Sequence, residues 1–358
     1  MKNVLMVIDS LEMGGAERIV LTLTGLFLKK NINVDIIMIY DKIEYNVSDN
    51  INIYSINYKK RYFQTIIYRN KLRKKIEILE EKYGQPYNLI LVHLLKASKL
   101  MNNYIHNNMY YVIHNTMSAK IFNRLDGNKR KRKLKRIQKK FNNKNLIAVS
   151  QGVAEDLKLN MQIKSKSIQV IYNPIDVELI EELAKDENTA QKYSPYIIHI
   201  GKFHKQKRHD ILINAYMKSN IDAKLVLVGD GDLRRDIENI IKKYSLENRV
   251  IMMGLHKNPY PILNGASLLV LSSDHEGLPT VILEALSLNI PVVSRDCPSG
   301  PKEILANYNN DFLADYNNID DFSRKIKRQY ETKSVINPNI IDRFHGETVL
   351  QQYIELMG

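Results

Sequence analysis

Apolar and polar positions along the chain fall into two alternating patterns. Short apolar runs rich in β-branched residues recur at 4–8, 34–39, 89–92, 111–113 and 146–149, interrupted only by Asp35. Runs that short and that apolar predict strands buried on both faces. Between them lie longer stretches, such as 16–29 and 65–82, whose apolar residues share one helical face. The pattern then restarts: 196–200, 225–228, 250–253, 268–271 and 291–294 predict strands, and 209–218, 233–243 and 279–288 predict helices. Strand–helix alternation implies parallel sheets with helices on both faces. The chain therefore reads as α/β, two doubly wound, Rossmann-like domains in tandem.

Asn-Pro within Tyr172-Asn173-Pro174-Ile175-Asp176 breaks any regular element. It divides the chain into an N-terminal domain, 1–173, and a C-terminal domain, 174–339. The last segment, 340–358, is helical by pattern and is expected to pack back onto the first domain. At 358 residues the chain has room for both. The apolar run 4–8 leads into Asp9 and Glu12, as a first strand would and a leader peptide would not. No apolar stretch reaches the length of a membrane span. The single cysteine, Cys297, excludes an intrachain disulfide and suits a reducing compartment. There is no cluster with zinc spacing, and Asp230-Gly231-Asp232 reads as a turn followed by a helix cap. Neither a cofactor nor a metal is expected.

Charge changes the picture of the first half. Residues 1–170 carry a formal +18 and residues 171–358 carry −4, for a total of +14. An anionic partner for the first half follows. The excess lies in two clusters, one from Lys59, Lys60 and Arg61 to Lys75, interleaved with Ile66, Ile67 and Tyr68, the other spanning 129–140. Mixed cationic and apolar segments suit an anionic membrane face, where each lysine contributes about 1 kcal/mol. Lys59, Lys60, Arg61, Arg130, Arg132, Lys133 and Arg136 are the candidates for contact with a membrane or acceptor. A solvated helix is the plain alternative. Nucleic acid is the rival partner, but no recognised RNA- or DNA-binding motif accompanies the charge, and none is expected to bind.

Candidate chemistry concentrates in Asp274-His275-Glu276-Gly277-Leu278-Pro279, which follows the predicted strand 268–271 and opens a helix carrying Glu284. Pro279 suits a first helical turn, where its missing N–H is not needed. Amides around Gly277 and Leu278 would face a positive helix end that attracts anions and sugar hydroxyls. Glu276 and Glu284 could hold hydroxyl groups of a sugar and a ribose. The same residues read equally well as a helix-end charge and a surface glutamate. Gly14-Gly15 after the first strand would let a pyrophosphate approach the backbone, or would form an ordinary strand–helix turn. His114 ends a strand at the sheet edge where such folds bind ligands.

Two glutamates eight residues apart in a strand–loop–helix setting resemble the donor-site signature of family 4 retaining glycosyltransferases. Other segments match that family in order: Gly14-Gly15-Ala16-Glu17-Arg18, Ala148-Val149-Ser150-Gln151-Gly152, Tyr172–Asp176, Gly201-Lys202-Phe203-His204-Lys205-Gln206-Lys207 and Leu227-Val228-Gly229-Asp230-Gly231. The resemblance implies the GT-B fold, two Rossmann-like domains facing a cleft, and transfer of a sugar from a nucleotide-sugar donor with retention of configuration. It implies that Gly15, Lys202, Lys207, Gly277, Leu278 and Glu284 bind the donor, Lys202 standing where arginine is commoner. His114 and Glu276 would then lie at the reacting sugar. Asp296-Cys297-Pro298-Ser299-Gly300-Pro301-Lys302-Glu303-Ile304 resembles bacterial enzymes that build capsule, lipopolysaccharide or lipid-linked oligosaccharides, several of them using UDP-N-acetylhexosamines. The expected acceptor is a cell-envelope glycan or lipid-linked glycan, and the expected location is cytoplasmic, peripheral on the inner membrane face. A nucleotide-sugar epimerase of similar fold is the alternative enzyme, and a nucleic-acid-binding protein the alternative of another class.

Overall fold

The computed structural model describes residues 2–59, 64–122, 126–306, 310–332 and 334–358. The chain forms two compact units, Met1–Pro174 with Gly346–Gly358, and Ile175–His345.

The first unit is built on seven parallel strands: β1 (Asn3–Ile8), β2 (Asn33–Met38), β3 (Asn52–Ser55), β4 (Leu89–His93), β5 (Met109–Ile113), β6 (Asn145–Ala148) and β7 (Ser167–Val170). Their order is β3-β2-β1-β4-β5-β6-β7. Every residue of β1 and β4 is buried, as central strands covered on both faces require. The helix Gly15–Lys29 covers this sheet with Ile19, Val20, Leu23, Leu26 and Phe27, one continuous helical stripe. The C-terminal helix Gly346–Glu355 belongs to the same unit. Tyr353 meets Phe27 edge to face at 6.4 Å, and Lys30 pairs with Glu347 at 3.0 Å. The predicted helix from 340 begins later than its pattern suggests, because Pro338–Phe344 forms a 3₁₀ turn and belongs to the second unit.

The second unit has six parallel strands: β8 (Tyr196–Ile200), β9 (Lys224–Val228), β10 (Val250–Gly254), β11 (Leu268–Leu271), β12 (Val292–Arg295) and β13 (Leu313–Ala314). They are ordered β10-β9-β8-β11-β12-β13. Tyr196, Ile197, Leu225, Leu227, Leu268 and Val270 are fully buried between the helical layers. The chain enters and leaves this unit side by side, joined by the Ile175–His345 bridge.

In both sheets the strand order reverses once, between β1 and β4 and between β8 and β11. Such reversals leave a crevice at the carboxyl ends of the two strands, where ligands of open α/β sheets bind. β3, β7 and β13 were not expected from the pattern. They are short, and β3 and β7 are only half-buried, with the mixed sequences NIYS and SIQV.

Candidate functional site

The crevice of the second unit lies between the loop after β8 and the loop after β11. Lys207, from the first, places its Nζ 2.7 Å from Oε1 of Glu276, from the second. The side chains are 19% and 9% exposed. An ion pair this dry is held tightly by its own loss: removing one partner strands the other charge at about 3–5 kcal/mol. An ammonium has three N–H donors, so Lys207 can keep Glu276 and still offer hydrogen bonds to an incoming anion.

Both loops are braced at the backbone. Gln206 donates from Nε2 to the His275 carbonyl (2.7 Å) and accepts from the Asp274 amide (2.8 Å). Ser272 Oγ donates to the Lys207 carbonyl at 2.6 Å. Asp274 Oδ1 gathers Arg208 (3.0 Å), Arg295 (3.4 Å) and the Tyr316 hydroxyl (3.3 Å). From the loop after β12, Ser299 donates to the Gly277 carbonyl at 2.8 Å. Gly300 has φ 95°, and a Cβ there would lie 2.4 Å from Pro279 Cδ, so only glycine lets these segments close. Gly229 is similar: at φ 144°, a Cβ would fall 2.1 Å from the Gly201 carbonyl oxygen.

The helix Thr280–Ser287 opens one residue later than expected. Pro279 is its N-cap, with no side-chain cap, and is not in the first turn. Gly277 and Leu278 are buried in the preceding loop, and Glu284, far from a surface glutamate, is only 4% exposed. Lys202 is exposed on the β8 loop. Asp230 accepts from the Gly231 amide at 2.7 Å and pairs with Arg234 at 3.3 Å, as a turn residue does.

Two buried histidines lie behind Lys207. His199 contacts the Val270 carbonyl through Nδ1 at 2.9 Å, and its ring meets that of His209 at 4.9 Å. Burial first, and then neighbouring positive charge including Lys207, holds both well below the usual histidine range, His209 at about 4. Both rings are neutral, and His199 donates its Nδ1–H to the Val270 carbonyl.

In the first unit, Gly15 is exposed at the start of its helix, with open space where a side chain would stand. The amides just before it are engaged, Met13 by Glu44 (2.8 Å) and Gly14 by the Tyr45 hydroxyl (3.2 Å). His114 follows β5, and its Nε2 lies 2.9 Å from Nδ1 of the fully buried His93, which ends β4. Burial lowers the pKa of His114 to about 4, so both rings are neutral and one must donate to the other. His93 Nε2 has no partner. A buried bare acceptor is less costly than a buried orphan N–H. This favours donation from His93 Nδ1–H to His114, which leaves His114 Nδ1 as a donor for a ligand oxygen.

Of the basic candidates, Lys59, Arg132, Lys133 and Arg136 are exposed. Lys60 and Arg61 lie outside the described residues. The helix Gly127–Phe141 buries Ile137 and Phe141, leaves Arg130, Leu134, Gln138 and Lys140 half-buried, and exposes the rest. The Arg130 guanidinium donates to the Phe122 carbonyl (3.1 Å) and pairs with Asp126 (3.4 Å). Sequence reasoning missed Asp274, Arg208, Arg295 and His93. A charged residue closing the buried strand β12 was the available signal for Arg295.

Comparison with known proteins defines the family. Residues 13–179 match the model "Glycosyltransferase Family 4", and residues 180–338 match "Glycosyl transferases group 1". The chain belongs to the family 4 glycosyltransferases of GT-B fold and is an enzyme of glycosyl transfer. Its relatives include the Campylobacter jejuni N-acetylgalactosamine-N,N'-diacetylbacillosaminyl-diphospho-undecaprenol 4-alpha-N-acetylgalactosaminyltransferase, 28% identical over 90% of this chain and 89% of that protein. The Salmonella typhimurium lipopolysaccharide 1,6-galactosyltransferase is 28% identical over 56% of this chain and 57% of its own. HepE from Anabaena, solved with UDP and glucose, superposes with a TM-score of 0.76 at 19% identity over 99% of both chains. The names of the Campylobacter and Salmonella relatives place their action on a lipid-linked glycan and on lipopolysaccharide.

Proposed function

We propose that the chain is a retaining glycosyltransferase that moves a sugar, in our reading an N-acetylhexosamine, from a UDP-linked donor to a lipid-linked cell-envelope acceptor. The observation that carries the reading is the buried Lys207–Glu276 pair at the β8/β11 crevice. Lys207 and the exposed Lys202 stabilise the leaving diphosphate as charge builds on it, without a dissociable metal or other cofactor. Glu276 keeps Lys207 in place and orients the sugar, and Glu284 anchors the ribose. Gly277, Leu278 and Gly15 supply backbone approach to the donor, and His114 donates to a sugar or phosphate oxygen. The Campylobacter relative's name supports a diphosphate-linked lipid acceptor, and the HepE complex supports UDP.

No helix among the described residues is long and apolar enough to cross a membrane. We infer that the enzyme works peripherally, on the anionic inner face of the cytoplasmic membrane, through the basic segments of the first unit and without nucleic acid. A thermal-shift screen against UDP, GDP, ADP and their sugars tests the donor. Stabilisation by UDP compounds is expected, and stabilisation by none of them contradicts the reading. The anomeric configuration of the product, read by NMR, tests retention.

A further inference from the structure

Basic residues far apart in sequence converge at the crevice of the first unit, between the ends of β1 and β4. Lys96 and Lys99 lie on the helix Leu95–Met101 that follows β4, and Lys133 and Lys140 lie on the helix Gly127–Phe141. Lys140 Nζ donates to the Leu95 carbonyl at 2.9 Å. Arg69, from the helix Thr65–Tyr83, donates to the Lys99 carbonyl at 3.1 Å. Lys96 Nζ stands 3.4 Å from the centre of the Tyr58 ring, which packs on Tyr68 at 4.6 Å.

Asp9, just after β1, is the carboxylate of this neighbourhood. Its two oxygens accept from the amides of Ala97 (2.7 Å) and Lys96 (3.2 Å). Burial raises its pKa, against the pull of Lys140 and Lys96. Burial, with repulsion from Lys133 and Lys99 and against the pull of Asp9, lowers the pKa of Lys140 to about 8. Lys96 and Lys140 thus draw on one buried carboxylate, while Lys99 and Lys133 crowd Lys140. Crowded like charge in a crevice marks a place that an anion completes. An apolar border adjoins it: Leu95 is 48% exposed, and Ile66 and Ile67, beside Tyr68, are 67% and 61% exposed.

We propose that Lys96, Lys99, Lys133 and Lys140 bind the phosphate or diphosphate of an amphiphilic acceptor, with Leu95, Ile66 and Ile67 bordering its apolar chain. The assignment rests on the glycosyltransferase reading and extends it by placing the acceptor's phosphate on named residues of the first unit. Lys96 and Lys99 do not stand out in the linear charge pattern, and Lys140 is only the last residue of the 129–140 cluster.

Titration calorimetry with inorganic pyrophosphate, in saturating UDP, tests it on the full chain. Separate UDP titration shows whether the donor reading itself holds. One pyrophosphate is expected to bind. Lys140→Met, and Lys96→Met with Lys99→Met, should each weaken it by about tenfold or more, with UDP affinity and melting temperature unchanged. Lys202→Ala with Lys207→Ala should leave pyrophosphate binding intact. No pyrophosphate heat, or equal affinity in the crevice variants, overturns the proposal. So does a loss of binding to phosphatidylglycerol vesicles in those variants with pyrophosphate affinity unchanged, since that assigns the lysines to a lipid surface.

Discussion

Lys207 and Glu276 were both legible as residues of interest, but their pairing was not. They are 69 positions apart and meet only because β8 and β11 are neighbours. The same holds for Asp274 with Arg208 and Arg295, and for His93 with His114. Contacts of this kind follow from strand order, which local pattern does not encode. If Lys207 carries the developing phosphate charge, Lys207→Ala should lower kcat/KM by about 10²–10³-fold. Glu276→Gln, which keeps a hydrogen bond and loses the charge, should cost less. Equal rates in all three chains would remove the pair from the chemistry. His93→Leu should lower kcat about tenfold with little change in UDP affinity, because His114 would lose its fixed tautomer. An unchanged kcat would leave His93 a packing residue.

At the scale of elements, continuous apolar runs located the inner strands to within a residue or two. Strands β3 and β7 escaped because half-exposed edges mix polar with apolar residues. The site loops were legible as motifs, yet the reason for their glycines emerges only from packing. Gly229→Ala would drive a methyl into the Gly201 carbonyl, which should destabilise the fold by about 3 kcal/mol or more. Gly15→Ala meets nothing and should leave stability within about 1 kcal/mol of the parent. Denaturant unfolding of the two variants checks the contrast, and similar losses would show that the β8 loop is slack.

For the whole molecule, the charge split between halves was plain in the sequence, whereas the convergence of the basic segments at one crevice was not. Acid sensitivity is another property of the assembled fold. His93, His114, His199 and His209 are all held below their ordinary range by burial. A histidine with a depressed folded pKa adds stability above its unfolded value of about 6.5, and that stability is lost as pH falls toward the folded value. For His209, at about 4 when folded, the loss at pH 5 is about 2 kcal/mol. Melting temperature should therefore fall steeply between pH 6.5 and 5, and less so in His209→Gln. Identical pH profiles would show that His209 is protonated without penalty.

The most direct test of the central claim is the affinity for UDP, measured by titration calorimetry on the parent chain, Lys207→Ala and Glu284→Ala. The donor site described here predicts that the parent binds UDP, and that each variant binds it about tenfold or more weakly while remaining folded. No binding by the parent, or unchanged affinity in both variants, would contradict the assignment of that crevice to the nucleotide-sugar.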